Sequence, residues 1–231
     1  MKTVGLVGGL GPESTIDYYR SIIDLYQKTV ADETYPHIVI DSVDVNRALR
    51  LFEANNLSEL ARYFIASTQR LAGAGSDFAL LTANTPHIVF DEVRRCSPLP
   101  LISIVEAACD EAKRQGLRTL LLIGTRFTMR ASFYHEVFAR QGLTIVTPTE
   151  EEQAYLHDKY VNELLKGIFL SATREGLLEI IARSAQRHGA DGVILGGTEL
   201  PLILREQSLA GIPLLDTTQI HVRAVVSKML S

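Results

Sequence analysis

The sequence predicts an α/β protein made of two similar, doubly wound parallel-sheet lobes related by pseudo-twofold symmetry. The segment GSDFALLTANTPH begins at Gly75, and the similar segment GADGVILGGTELP begins 114 residues later at Gly189. TVGLVGG at Thr3 is matched by TLLLIGT 116 residues later, and PLISI at Pro100 is matched by PLLDT 113 residues later. Three pairs of segments in one order and at nearly one spacing indicate a duplicated unit of strands and helices.

The predicted strands are eight short apolar runs that alternate with amphipathic stretches. They are Val4 to Val7, His37 to Ile40, Phe78 to Leu81, Leu101 to Ile104, Thr119 to Ile123, Thr144 to Val146, Gly192 to Leu195 and Leu214 to Leu215. Strands that alternate with helices form parallel sheets with helices on both faces. We therefore assign residues 1–97 and 211–231 to the first lobe and residues 98–210 to the second.

The first predicted helix follows Pro12, which suits a first helical turn because its missing N–H would have no partner there. Apolar residues three and four positions apart share one face of a helix. On that spacing, the buried face of this helix is predicted to consist of Ile16, Tyr19, Ile23 and Tyr26.

Two later helices carry further signals for their ends and buried faces. Ser58 is predicted to cap a helix whose apolar stripe consists of Leu60, Phe64 and Leu71. In the second half, a stripe formed by Leu177, Ile180, Ile181 and Ser184 leads to Gly189. Glycine adopts the left-handed conformation readily, so Gly189 is predicted to end that helix.

Composition narrows the class of protein. The chain has 231 residues, of which 46% are apolar, enough to fill one large or two modest cores. Its 23 basic and 27 acidic residues nearly balance, and no dense basic block is present, which argues against a nucleic-acid or membrane-surface partner. The N-terminal apolar run is too short for a signal peptide, and no segment reaches about 18 consecutive apolar residues, so a cytoplasmic location is expected.

The two cysteines, Cys96 and Cys109, have the spacing of neither a redox pair nor a zinc site. We interpret both as ordinary buried thiols and expect no metal site.

Ligands of open parallel sheets bind beyond the carboxyl ends of the strands, so the loops at those ends are the candidate site, in a cleft between the lobes. The first such loop, Gly8 to Pro12, fits neither the dinucleotide fingerprint nor the phosphate-binding loop. It is typical of a tight turn that lets the backbone approach a small ligand, and N–H groups at the start of a helix attract carboxylates. Gly9 and Leu10 are therefore candidate binding residues.

Neutral hydrogen-bonding side chains occupy matching positions in the two copies. Asn84 and Thr85 follow one strand, Thr198 and Glu199 follow its counterpart, and Thr125 ends a further strand. Such donors, aimed at one spot, suit a small anion. Each of them alone is more typical of a turn, which remains the alternative.

Four motifs, in order, resemble the aspartate/glutamate racemase family. They are VGLVGGLGPESTIDYYR, ANTPH, LIGTRFTM and LGGTELPLIL, and the likeness covers essentially the whole chain. The resemblance implies an amino-acid racemase, an isomerase that uses neither pyridoxal phosphate nor any other cofactor. It also implies a homodimer that binds a small acidic amino acid, such as aspartate or glutamate, or a related carboxylate between its two lobes.

Racemases of this family use two facing cysteines, one to remove the α-proton and one to return it. Inversion needs an acid and a base across the carbon, and a thiol can be tuned to either role. The resemblance places these positions at Ala83 and Gly197, and neither side chain can hold a proton. The fallback candidates for proton transfer are Thr82, His87 and Glu199, with Glu13 and Asp44 as further carboxylates.

For substrate binding, the resemblance implies that the α-carboxylate is held by Asn84, Thr85, Thr125 and Thr198. Arg47 or Arg50 could hold a distal carboxylate through two parallel hydrogen bonds, and Arg126 and Lys166 are weaker candidates. A solvated surface role is the alternative for each of these cations.

Three hypotheses about function follow. The first is a racemase-family protein whose two-base racemisation is weak or altered. The second is a non-catalytic carboxylate-binding or regulatory protein that kept the pocket. The third is a chain in which the two positions were substituted deliberately to trap a substrate.

Overall fold

The protein contains two parallel β-sheets, each flanked by helices, in a computed structural model that describes residues 1–30 and 34–231. The α/β prediction is therefore confirmed. The chain divides into unit 1, which comprises Met1–Ile104 and His221–Ser231, and unit 2, which comprises Val105–Ile220. The boundaries predicted from the sequence fall earlier, after residues 97 and 210. Each of these predicted boundaries is followed by a strand that still pairs with the sheet of the unit preceding it.

The elements follow the predicted alternation. Unit 1 contains β1 (Val4–Gly8), α1 (Pro12–Thr29), β2 (Ile38–Ser42), α2 (Val45–Glu53), α3 (Leu57–Gly73), β3 (Phe78–Leu81), α4 (Phe90–Cys96) and β4 (Leu101–Ile102). Then come α5 (Ile104–Arg114), β5 (Thr119–Gly124), α6 (Arg126–Arg130), α7 (Phe133–Ala139), β6 (Thr144–Val146), α8 (Glu150–Asn162), α9 (Ser171–His188), β7 (Gly192–Gly196), α10 (Leu200–Ile203), β8 (Ser208–Leu209), β9 (Ile212–Asp216) and α11 (Thr217–Leu230). Helix α11 begins in unit 2 and continues into unit 1.

The four strands of the first sheet have the same order as the first four strands of the second sheet, as the sequence repeat predicts. The sheet of unit 1 has the order β2-β1-β3-β4, and that of unit 2 has the order β6-β5-β7-β9-β8. All pairs are parallel except β8 with β9. Strand β4 is shorter than predicted because α5 already begins at Ile104.

A repeated aspartate fixes the start of one strand in each unit. In unit 1, the Asp77 carboxylate accepts the backbone N–H of Thr3 at 2.6 Å. In unit 2, the Asp191 carboxylate accepts the N–H groups of Arg118 and Thr119, both at 2.9 Å. The backbone N–H of each aspartate also donates to the carbonyl of that threonine, at 2.9 Å in both units. The two aspartates that mark the repeat therefore have a structural function.

Each unit has its own apolar core. The core of unit 1 includes Val4, Leu6, Tyr18, Ile22, Phe78, Leu80, Val222, Val225 and Met229. The core of unit 2 includes Leu121, Ile123, Leu156, Tyr160, Leu177, Ile181, Val193 and Leu195. Helix α11 therefore completes the apolar core of unit 1.

The predictions for the helices are partly confirmed. Pro12 does lie in the first turn of α1, Gly189 does end α9 with φ 61°, and the stripes of α3 and α9 are buried. The predicted face of α1 is wrong for Ile16 and Tyr19, which are 44% and 45% exposed, and is confirmed for Tyr26, which is 3% exposed. The side chains that face the core are Ser14, Thr15, Tyr18, Ile22 and Tyr26.

The predicted cap of α3 is also wrong. Asn56, and not Ser58, accepts the N–H of Glu59 at the start of this helix.

Among the residues that the structure describes, no helix combines the length and the apolar character that crossing a membrane would require.

Candidate functional site

In unit 1, the loops after β1, β2 and β3 lie at one edge of the sheet. Val7 pairs with Leu81, and Gly8 pairs with Ser42, so the chain leaves the three strands side by side. Gly9 has φ 77°, and a Cβ there would lie 2.7 Å from the nitrogen of Val43 and closer still to its carbonyl oxygen. Only glycine fits this turn.

A hydrogen bond to α1, within unit 1, holds the glycine loop. The N–H of Gly9 donates to Thr15 Oγ1 at 2.8 Å, and Leu10 is buried. This N–H therefore already has an acceptor in α1. The loop has the tight turn predicted from the sequence.

Thr82, one of the fallback candidates, lies at the end of β3 and is fully buried. Its hydroxyl donates to the carbonyl of Val7 at 3.0 Å, and its own carbonyl accepts the hydroxyl of Ser14 at 2.9 Å. These bonds tie β3 to β1 and α1. The geometry favours a structural role over proton transfer.

His87 lies in a 3₁₀ turn, Thr85–Val89, and its ring stacks on Phe90. Nδ1 lies 3.1 Å from the carbonyl of Ala83, and Nε2 accepts the N–H of Ile104 at 3.3 Å. This pairing assigns the neutral ring with the proton on Nδ1. Burial and, to a smaller extent, the nearby His221 lower the pKa of His87 to about 3. The geometry favours a structural role for this side chain as well.

The predicted binding residues of this turn lie between these two structural anchors. Ala83 and Asn84 are 8% and 2% exposed, and Thr85 is half-buried. The carbonyl of Asn84 accepts the N–H of His87 at 2.9 Å. The turn therefore brings Asn84 and Thr85 to the end of β3, next to the Gly9 loop.

In unit 2, two glycines bring the ends of β5 and β7 together. Gly124 pairs with Gly196, and a Cβ on Gly124 would lie 2.6 Å from the carbonyl oxygen of Gly196. Thr125 and Gly197 are consequently neighbours. Thr125 caps α6 by accepting the N–H of Thr128 at 3.1 Å, and it is 7% exposed.

The space beside Gly197 is filled by Tyr160, a residue of α8 that sequence reasoning did not identify. A Cβ on Gly197 would lie 2.8 Å from both Cζ and the phenolic oxygen of Tyr160, and closer still to Cε2. A side chain at residue 197 therefore requires Tyr160 to move.

Glu199 is the buried carboxylate of this cluster, with 1% of its surface exposed. The Tyr160 hydroxyl donates to Glu199 Oε2, and the Thr198 hydroxyl donates to the same oxygen at 3.2 Å. Burial, followed by the charge of Glu199, raises the pKa of Tyr160 well above 10. Tyr160 is therefore a neutral donor to Glu199 near neutral pH.

The other carboxylate candidates lack this burial. Glu13 and Asp44 are exposed, and Asp44 caps α2 by accepting the N–H of Asn46 at 2.8 Å. Desolvation is what makes a carboxylate a stronger base. Of the three carboxylates considered from the sequence, only Glu199 lies in such an environment.

Helix α8 also brings a histidine to the other strand end of unit 2, and the sequence reasoning missed it too. His157 is half-buried, and its Nδ1 accepts the N–H of Arg126 at 3.4 Å. The ring of Phe127 lies edge-on to it at 5.6 Å. A signal was present, since His157 and Tyr160 are three positions apart and share one face of a helix.

The candidate cations lie at the surface. Arg47 is 49% exposed, lies 4.4 Å above the ring of Tyr63 and pairs with Glu59 at 3.5 Å. Arg50 is 68% exposed and pairs with Asp44 at 3.8 Å. Both follow β2, at the same strand edge as the Gly9 loop. Arg126 begins α6, and Lys166 is exposed in the 3₁₀ turn Leu164–Lys166.

Neither cysteine stands at the end of a strand. Cys96 ends α4 and is exposed, so the prediction that both thiols are buried is wrong for this residue. Cys109 lies within α5, where burial raises the pKa of its thiol to about 11. Within the described ranges, no three His, Cys, Asp or Glu side chains are grouped as in a metal site.

Comparison with known proteins finds similarity along nearly the entire chain. A family model described as Asp/Glu/Hydantoin racemase matches residues 7–225. The broad-specificity amino-acid racemase RacX of Bacillus subtilis (strain 168) is 26% identical over 238 residues, which cover 99% of this chain and 98% of the relative.

Solved structures show the same similarity. The crystal structure of an aspartate racemase homologue from Pyrococcus horikoshii OT3 matches with a TM-score of 0.84 and 32% identity, and 100% of each chain is covered. The aspartate racemase of Picrophilus torridus shares the fold with a TM-score of 0.78 at 21% identity, covering 99% of this chain and 94% of that one.

Proposed function

The chain belongs to the Asp/Glu/hydantoin racemase family, as its four motifs predict, and we propose that it binds a small acidic amino acid or a related carboxylate but racemises it weakly. The observation that carries the second half of this proposal is the packing of Tyr160 against Gly197. A racemase of this family needs a thiol there, and the tyrosine ring fills the space that a side chain would enter.

Binding is supported by the polar groups at the strand ends. In unit 2, Thr125 and Thr198 follow the neighbouring strands β5 and β7, and in unit 1 Asn84 and Thr85 follow β3. Neutral hydroxyl and amide donors at such positions suit a carboxylate. Arg47, which stacks on Tyr63, is the better placed of the two candidate arginines for a distal carboxylate because the ring holds its guanidinium.

Titration calorimetry and a chiral assay test the two halves of this proposal separately. We expect L- or D-aspartate, L- or D-glutamate, or another amino acid of a broader panel to bind with a measurable Kd. The panel is warranted because the Bacillus subtilis relative is named a broad-specificity racemase. We expect little or no interconversion of the enantiomers. Rapid interconversion would contradict the weak-racemisation half, and failure of every dicarboxylate to bind would contradict the acidic-ligand half.

A pair of arginine variants tests the distal contact. Arg47→Ala should weaken binding of a dicarboxylate by about 10- to 100-fold, the usual loss of a charged hydrogen bond. Arg62→Ala is the matched control, because Arg62 is more exposed than Arg47 but pairs with the same Glu59. Equal Kd values for the two variants would remove Arg47 from the proposed site.

Three further features stay predictions. The sequence and the resemblance imply a cytoplasmic protein, a reaction without a cofactor, and a homodimer. Sedimentation or light scattering of the purified chain would test the last of these.

A further inference from the structure

We propose that Tyr160, backed by Glu199, is an acid–base group of unit 2 that exchanges the α-proton of a bound amino acid with solvent without inverting the carbon. This inference rests on the proposed binding of a small amino acid. It adds a catalytic residue, Tyr160, and a residue that acts through it, Glu199, to a chain that lacks thiols at Ala83 and Gly197.

The first argument is position. The phenolic oxygen of Tyr160 is 2.8 Å from where a Cβ of residue 197 would stand. The tyrosine therefore occupies volume that a side chain at residue 197 would need. The tyrosine reaches this volume from α8, a different element, and it can do so only because residue 197 is glycine.

The second argument is the chemistry of the pair. The Tyr160 hydroxyl donates to Glu199 Oε2, which also accepts the hydroxyl of Thr198 at 3.2 Å. The carboxylate of Glu199 is 1% exposed and the side chain of Tyr160 is 5% exposed. Hydrogen-bonded pairs that are removed from water transfer protons over short, fixed distances and need little reorganisation. The hydrogen bond to Glu199 gives the phenol a proton acceptor that a lone buried tyrosine would lack.

The proposed step is a two-proton relay. The Cα–H bond of the bound amino acid breaks and its proton passes to the phenolic oxygen, while the original phenolic proton passes to Glu199 Oε2. The electron pair left on Cα delocalises into the α-carboxylate. While the electron pair stays delocalised, the protons on the phenol and on Glu199 both exchange with solvent. The transfers then run backwards, so that the phenolic proton, now a solvent proton, returns to Cα from the side on which the first one left, and the Glu199 proton returns to the phenolic oxygen.

Retention follows from the residues at and around Ala83, the position where the resemblance implies the second thiol. Ala83 has no titratable group, and both ring nitrogens of His87 are bonded to backbone groups. The Thr82 hydroxyl donates to the carbonyl of Val7. Inversion requires a second group that transfers a proton to the opposite face of Cα. With one such group, the expected outcome is exchange without racemisation.

Proton NMR in deuterated water tests this inference on the wild-type protein and on three variants. We expect a bound L- or D-amino acid to gain deuterium at Cα while its configuration, followed by chiral chromatography, stays the same. Tyr160→Phe keeps the ring against Gly197 and removes the hydroxyl. Glu199→Gln keeps an oxygen that accepts from the phenol but cannot take up the proton.

Each of these two variants should lower the exchange rate by about 10²- to 10⁴-fold, the usual cost of losing a positioned acid–base group, while the Kd stays unchanged. Tyr155→Phe is the matched control, because Tyr155 lies on the same helix but packs near Gly176. It should exchange at the wild-type rate. The Glu199→Gln variant keeps the test decisive if the Tyr160→Phe protein does not fold.

The alternative outcomes separate this inference from the proposed function. Measurable binding without exchange in the wild-type protein would overturn the relay and leave the binding proposal standing. Wild-type exchange rates in both folded variants would also overturn it, as would exchange accompanied by inversion. Failure of every amino acid and dicarboxylate to bind would instead overturn the proposed function on which the relay depends.

Discussion

Units 1 and 2 have the same strand order and the same aspartate at the start of a strand, but they differ at their strand ends. In unit 1, the turn after β3 is closed by the buried His87 and by backbone hydrogen bonds. In unit 2, the loop after β7 is closed by a phenol and a carboxylate, Tyr160 and Glu199. The two units therefore share a scaffold, whereas a buried phenol–carboxylate pair closes the strand end in unit 2 and a buried histidine closes it in unit 1.

The largest predicted difference between the units is their response to acid. Burial lowers the pKa of His221 to about 4 and that of His87 to about 3, and both residues belong to unit 1. The unfolded chain binds these protons below about pH 6.5, whereas the folded chain does not. The free energy of unfolding should therefore fall as pH drops below 6.5, by about 1.4 kcal/mol per pH unit for each histidine, until the folded pKa values are reached.

The buried carboxylate network of unit 2 should respond at lower pH. The hydrogen bonds of Arg187 lower the pKa of Glu152 to about 2 from an ordinary 4.5, so its stabilisation persists until pH falls below 4.5. Urea unfolding at several pH values measures both effects. His221→Asn should reduce the slope between pH 6.5 and 4 by about one proton. An unchanged slope would mean that His221 is not neutral in the folded protein.

The next prediction concerns the residue that follows the first strand of each unit, which is Gly9 in unit 1 and Thr125 in unit 2. Gly9→Ala should lower the free energy of unfolding by about 2 to 4 kcal/mol, since a left-handed backbone and a collision with the Val43 carbonyl are combined. Gly142→Ala is the control. It has φ 74° and open space around its Cβ, and it should cost only about 1 kcal/mol. Similar midpoints of urea unfolding for the two variants would show that the loop can shift.

Returning thiols to the two family positions should affect the units unequally. Gly197→Cys should destabilise the protein by about 1 to 3 kcal/mol because the new side chain meets Tyr160. Ala83→Cys should cost less, since Ala83 already carries a Cβ. A double-mutant cycle of Gly197→Cys with Tyr160→Ala should show a favourable coupling of about 0.5 to 3 kcal/mol. Additive effects would mean that the ring and residue 197 do not compete for space.

The smallest effect concerns the helix caps. Asn56→Ala should lower the free energy of unfolding by about 1 kcal/mol, because the N–H of Glu59 loses its acceptor. Ser58→Ala should change it by less than about 0.5 kcal/mol, as is usual for surface positions. Thr149→Ala tests the corresponding cap in unit 2, where Thr149 and Glu152 bond reciprocally. Chemical denaturation of the three variants would rank them, and a larger loss from Ser58 than from Asn56 would contradict the observed cap.

The strands and the repeat could be predicted because they depend on local apolar runs and on spacing along the chain. The face of α1 could not, because Ile16 and Tyr19 have the right spacing but Ser14 and Thr15 hydrogen-bond to neighbouring loops and turn the helix. Tyr160 could not be predicted either. Its partner, Glu199, is 39 residues away, and nothing local shows that a helix side chain fills the space beside a glycine.

The return of α11 to the core of unit 1 has a consequence for synthesis. A ribosome completes the residues of unit 2 before it reaches the segment His221–Ser231, which unit 1 needs for its core. Domains fold as units during translation. We therefore expect unit 2 to reach its native state first, while part of the apolar surface of unit 1 stays uncovered until residues 221–231 have left the exit tunnel.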